Sequence, residues 1–213
     1  MQVEIWSDVV CPWCYLGKRR FESALSRFEH ADGVEVVWRS FELDPGAPRR
    51  REGTAAEHLA AKYGMSPEEV EASWARLTGL ARAEGLEYHL DRTQGGSSFD
   101  AHRLIQLGRE RGLQDAVKER ILRAYFTESL PIGEPDVLAR LAAEAGLAED
   151  EAIDLLAGDA FADAVRADER RAAELGIGGV PFFVVDDRYA VSGAQSTEHF
   201  LQALTVAWDS RAA

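Results

Sequence analysis

Strand-forming sequence is confined to the two ends of this chain. Val3-Glu4-Ile5-Trp6 and Val34-Glu35-Val36-Val37-Trp38 are short runs of β-branched and aromatic residues, and nothing comparable returns until Val180-Pro181-Phe182-Phe183-Val184-Val185 and Tyr189-Ala190-Val191. The chain between the two strand-bearing ends reads as a helical insertion. Phe21, Leu25 and Phe28 stand at helical spacing between the first two strands, and Phe200, Leu201, Leu204 and Trp208 mark a helix starting near Ser196. The predicted order is β-α-β, helical insertion, β-β-α: an α/β protein.

The insertion opens at Asp44-Pro45-Gly46-Ala47-Pro48 and Arg49-Arg50-Arg51, a Pro/Gly break followed by a basic run. Beyond it Thr54 with Glu57 and Ser66 with Glu69 have the spacing of capping boxes, in which the hydroxyl and the carboxylate each take one backbone N–H. Val70, Trp74, Leu77 and Ala81 form one helical stripe, which Gly85 can close in the left-handed conformation. Further helices are marked by Val117, Ile121 and Tyr125, by Val137, Leu138, Leu141 and Ala145 with Pro135 in the first turn, and by Phe161, Val165 and Leu175 up to Gly176. Thr93 to Ser98 reads as a polar loop between helical hairpins. The expected division is 1–44, an inserted helical domain over 45–176, and 177–213.

A formal charge of −13 over 213 residues makes nucleic acid and anionic lipid poor partners. No run approaches the ~18 apolar residues of a spanning helix. Residues 1–10 show neither a basic nor an apolar leader region, so the sequence reads as cytoplasmic.

The two cysteines stand together, in Cys11-Pro12-Trp13-Cys14, between the first strand and the first helix. Disulfide exchange needs an exposed, readily ionised sulfur and a second thiol to resolve the mixed disulfide. A helix starting at Cys11, with Pro12 in its first turn, puts Cys11 at the positive end of the helix dipole and Cys14 one turn deeper on the same face. That predicts Cys11 as nucleophile and Cys14 as resolving thiol. Zinc would need further ligands from His30, His58, His89, His102, His199 or carboxylates, and no His-x-x-x-His spacing supplies them. No metal is expected, and an incidental pair is the remaining bland alternative.

Four motifs, Cys11 to Phe21, Ala101-His102-Arg103-Leu104, Gly176 to Val184 and Ser192-Gly193-Ala194-Gln195, together resemble the FrnE-like branch of the DsbA family. That family has a thioredoxin fold with an inserted all-α domain. The resemblance implies a thiol:disulfide oxidoreductase with a cis Val180-Pro181 peptide, whose backbone pairs with substrate beside Cys11 under a helical lid. The same branch is similar to 2-hydroxychromene-2-carboxylate isomerases and kappa-class glutathione transferases, which usually carry serine where this chain has Cys11. A glutathione-dependent isomerase or transferase acting on an aromatic or polyketide-like compound is thus the alternative, and a redox-sensing binder or chaperone is a third.

Pro181 joins the two cysteines as a catalytic candidate, and Pro12, Trp13, Val180 and Gln195 are substrate-binding candidates. Trp13 is expected exposed beside Cys11; Gln195 and Ser196 either hold a carboxylate or cap the last helix. A structural role is favoured for His102. No tightly bound cofactor is expected. Partners are protein or small-molecule thiols and disulfides, glutathione among them, and homodimerisation is left open.

Overall fold

The computed structural model describes residues 1–211. One four-stranded sheet unites the two ends of the chain. Strands β1 (Gln2–Ser7), β2 (Glu35–Ser40), β3 (Phe182–Val185) and β4 (Tyr189–Ser192) lie in the order β2-β1-β3-β4. β1 runs parallel to β2 and antiparallel to β3, and β3 is antiparallel to β4. The helices are α1 (Pro12–Ser26), α2 (Ala55–Tyr63), α3 (Pro67–Ala83), α4 (Phe99–Glu110), α5 (Gln114–Phe126), α6 (Pro135–Glu144), α7 (Glu149–Ala157), α8 (Ala162–Glu174) and α9 (Thr197–Asp209). This is the α/β thioredoxin fold with a large helical complement.

Contacts divide the chain into two compact units. One comprises Met1–Leu43 and the chain from Arg166 onward; the other is Asp44–Val165. Most of α8 therefore belongs with the sheet, although its sequence is as helical as that of the segment before it.

In the first unit, the period of two along the strands separates two packed faces. Phe183 meets Phe21 of α1 and Phe200 of α9, with ring centroids 5.5 and 4.5 Å apart. On the other face Trp6 and Val184 pack with Ala172 of α8 and Ile177, joined by Phe41, Val180 and Phe182. The Trp6 indole N–H donates to the Asp168 carbonyl at 3.0 Å. Asp168 accepts from Arg39 at 2.9 Å and from the Ser40 backbone N–H at 2.9 Å, so β2 is tied to α8 through charge.

In the second unit both capping boxes form: Thr54 and Ser66 accept from Glu57 and Glu69 N–H, and each carboxylate returns to the N-cap N–H. Gly85, at φ +76°, closes α3 with the paired bonds Leu86 N–H to Ala81 and Gly85 N–H to Arg82. Helices α4 and α7 were not separately marked in the sequence. Arg103 of the Ala-His-Arg-Leu motif explains part of their packing. It is 3% exposed and donates to the carbonyls of Leu155, Gly158 and Ala160, closing the C-terminal end of α7.

Candidate active site

β1 ends at Ser7 and pairs with β3 through Trp6 opposite Phe182, so the chain leaving β1 and the chain entering β3 are neighbours. The first carries the cysteines and the second carries Val180-Pro181. This register brings residues far apart in sequence to one end of the sheet.

Cys11 is the N-cap of α1, in extended conformation at φ −93° and ψ 111°, and Pro12 occupies the first turn, where its missing N–H costs no helical bond. Cys14 N–H donates to the Cys11 carbonyl at 3.0 Å. The first turn of α1 has no acidic side chain, so its N–H groups face the Cys11 end without a competing carboxylate of their own. The Cys11 Sγ donates to the Val180 carbonyl at 3.6 Å, and the Val180-Pro181 peptide is cis. The cysteines are thiols, not a disulfide.

One expectation changes. The attacking sulfur was expected to be exposed, yet Cys11 is only 4% exposed, against 1% for Cys14. Its hydrogen bond to Val180 turns it toward the β3 entry, and the outward position falls to Trp13, 40% exposed. Pro12 is half-buried, Val180 half-buried and Pro181 buried. Gln195 is exposed, but its amide donates to the Ser192 carbonyl at 2.8 Å, and Ser196 accepts from His199 N–H as the N-cap of α9. Local turn and cap bonds thus account for both. His102 is buried in α4, in the second unit.

Asp8 was not singled out by the sequence. It is fully buried; its carbonyl accepts from Cys11 N–H at 3.3 Å and its carboxylate from Leu43 N–H at 2.7 Å, fixing the turn between β1 and α1 to the segment after β2. A lone Asp in a turn carries no spacing signal that would have revealed this.

Among the described residues no group of three or more His, Cys, Asp or Glu is gathered to hold a metal, and no helix is long and apolar enough to cross a membrane.

A family model, the DSBA-like thioredoxin domain, matches residues 2–205. The chain belongs to this family. This DSBA-like protein has a TM-score of 0.95 and 51% identity to a probable DsbA oxidoreductase from Streptomyces coelicolor, covering 98% of this chain and 90% of that one. It is 26% identical to YwbO of Bacillus subtilis, an uncharacterized protein, over 96% of each chain. Two solved structures share the fold at lower identity. The cytosolic disulfide reductase DsbM from Pseudomonas aeruginosa with GSH is 20% identical, at TM-score 0.69 over 98% of this chain and 100% of that one. A 2-hydroxychromene-2-carboxylate isomerase is 14% identical, at TM-score 0.75 over 100% and 98%. Family membership and the oxidoreductase relative support a disulfide oxidoreductase of the DsbA family.

Proposed function

We propose that the protein exchanges thiols and disulfides, with Cys11 as nucleophile and Cys14 as resolving thiol. The observation that carries this reading is the placement of Cys11: at the N-cap of α1, its sulfur 3.6 Å from the Val180 carbonyl, with Cys14 three residues along the helix.

In the reducing direction, the Cys11 thiolate attacks one sulfur of a substrate disulfide. A Cys11–substrate disulfide forms, the substrate S–S bond breaks, and the other substrate sulfur leaves as a thiolate that takes up a proton. Cys14, losing its proton, then attacks the Cys11 sulfur and expels the second substrate thiolate. The substrate gains two electrons and the protein is left with a Cys11–Cys14 disulfide. Two molecules of glutathione reverse that change, leaving as one glutathione disulfide. In the oxidising direction every step runs backward, and the potential of the pair against its surroundings sets the direction.

Val180 and Pro181 line the approach to Cys11 and would contact the substrate chain there. Trp13 and Pro12 offer apolar surface beside the sulfur, and Gln195 lies in the turn before α9. Glutathione is the small-molecule partner this reading favours, in keeping with the ligand of the DsbM structure. A cytoplasmic setting and an inserted helical unit over Asp44–Val165, shorter than the 45–176 read from the sequence, complete the reading.

Cys11→Ser and Cys14→Ser test it in insulin reduction. Cys11→Ser is expected to abolish turnover, and Cys14→Ser to accumulate a mixed disulfide at Cys11 detectable by intact mass. Full insulin reduction by Cys11→Ser would sink the proposal; loss of insulin reduction with retained glutathione-dependent isomerisation of an aromatic substrate would favour the isomerase reading, which can tolerate a hydroxyl at this position.

A further inference from the structure

We propose that Gly17 and Arg20 are positioning residues that hold the Val180 carbonyl against the Cys11 sulfur, acting through the 193–195 loop. The inference rests on the oxidoreductase reading, and its geometry lies wholly within the first unit.

Gly17 stands in the middle of α1, where glycine is disfavoured because it orders a flexible backbone and offers no side chain to pack. Its surroundings explain its use. A Cβ at Gly17 would come 3.0 Å from Cγ of Pro181 and 3.5 Å from Cβ of Ala194. The bare helix backbone therefore lets α1 approach both the Pro181 ring and the loop beyond β4. Any larger residue has to push one of them away.

Arg20 lies three residues further along the same helix, hence on the same side. Its Nη1 donates to the Ala194 carbonyl at 2.9 Å, a charge-assisted hydrogen bond that fixes the loop on α1. Next to Ala194, Gly193 takes a left-handed φ of +80° and directs its N–H to the Pro181 carbonyl at 2.8 Å. Pro181 is bonded to Val180, whose carbonyl accepts from the Cys11 thiol.

These contacts close a ring. It leaves α1 at Arg20, passes through Ala194, Gly193, Pro181 and Val180, and returns to α1 at Cys11. One helix thus holds both the nucleophile and, through the loop, the backbone that faces it. A displacement of either Gly17 or Arg20 is transmitted to the distance between Val180 and Cys11. A peptide disulfide that must lie against Val180 while its sulfur meets Cys11 depends on that distance, because reaction rates fall steeply with misplacement of the reacting atoms. A small alkylating reagent needs no such alignment.

The test compares two reactions of the purified full-length protein: reduction of a disulfide-bonded peptide, and alkylation of Cys11 by iodoacetamide read by peptide mass spectrometry. Arg20→Met and Gly17→Ala are expected to lower the peptide-disulfide rate constant about tenfold while changing the alkylation rate less than about twofold. Arg20→Lys, which keeps one charged donor, should recover most of the loss. Where Gly17→Ala fails to fold, the Arg20 pair carries the comparison. Variants that match the wild type in both reactions, or that lose both by the same factor, overturn the positioning role alone. A wild-type protein inert toward the peptide disulfide overturns the oxidoreductase reading first and this inference with it.

Discussion

Glu4 of β1 meets Arg171 of α8 at 2.6 Å, on the sheet face that α8 covers. Arg39 reaches the same carboxylate from β2 at 2.5 Å, and Glu4 itself is 3% exposed. Burial alone would push the carboxyl up, but the hydrogen bonds and charges of Arg171 and Arg39 outweigh it and hold Glu4 below its ordinary value of 4.5. A carboxyl lowered in the folded state stabilises the fold above its unfolded pKa, and that stabilisation is lost as pH falls through the folded pKa. Stability should therefore decline as the solution is acidified below about pH 4.5. Glu4→Gln should cost about 3 kcal/mol at neutral pH and flatten the acid limb, measured by urea unfolding between pH 3 and 7. An acid limb as steep as that of the wild type would show that other carboxyls govern it.

Arg103→Met should destabilise the second unit by about 3 kcal/mol, since it leaves the buried Leu155 carbonyl and the part-buried bonds to Gly158 and Ala160 without their charged donor. Hydrogen exchange is expected to quicken first along α7, whose C-terminal carbonyls Arg103 holds.

Two glycines of the second unit should answer substitution with opposite signs. Gly79 lies inside α3, and a Cβ there meets nothing within 4 Å, so Gly79→Ala should stabilise by about 0.5–1 kcal/mol. A Cβ on Gly96 would run into the Arg49 carbonyl, so Gly96→Ala should destabilise by about 2 kcal/mol. Thermal unfolding of the two variants checks both signs.

Trp13→Ala should raise KM for a peptide disulfide about tenfold and leave kcat within about twofold, because in the proposed function the exposed indole serves as binding surface beside the exchanging bond and takes no part in the exchange. Steady-state kinetics with a peptide and with glutathione disulfide separates the effects: the smaller substrate should be less affected.

The signals that were legible in the sequence are local ones. The two capping boxes, the stripe from Val70 to Ala81 and the Gly85 stop each depend on residues a few positions apart, and all appear as expected. Helices α4 and α7 were harder to read because Ser98 and Ala148 begin them without a side-chain cap bond. The cysteine pair and the proline turn were visible as motifs, whereas the burial of Cys11 depends on the β1–β3 register, which no spacing encodes. The same holds for Asp8, Arg20 and Glu4. Each is a polar residue whose partner is distant in sequence, and periodicity alone would place Glu4 in solvent as readily as in a charged cluster.

The partnership between Cys11 and Val180 spans 169 positions of the chain. During synthesis from the N-terminus, both thiols leave the ribosome while β3 does not yet exist, and the whole of Asp44–Val165 is made before the carbonyl that faces Cys11. For that interval the nascent chain carries two cysteines without the wall that flanks them in the finished fold. Its thiol chemistry becomes that of the finished site only when β3 slots beside β1.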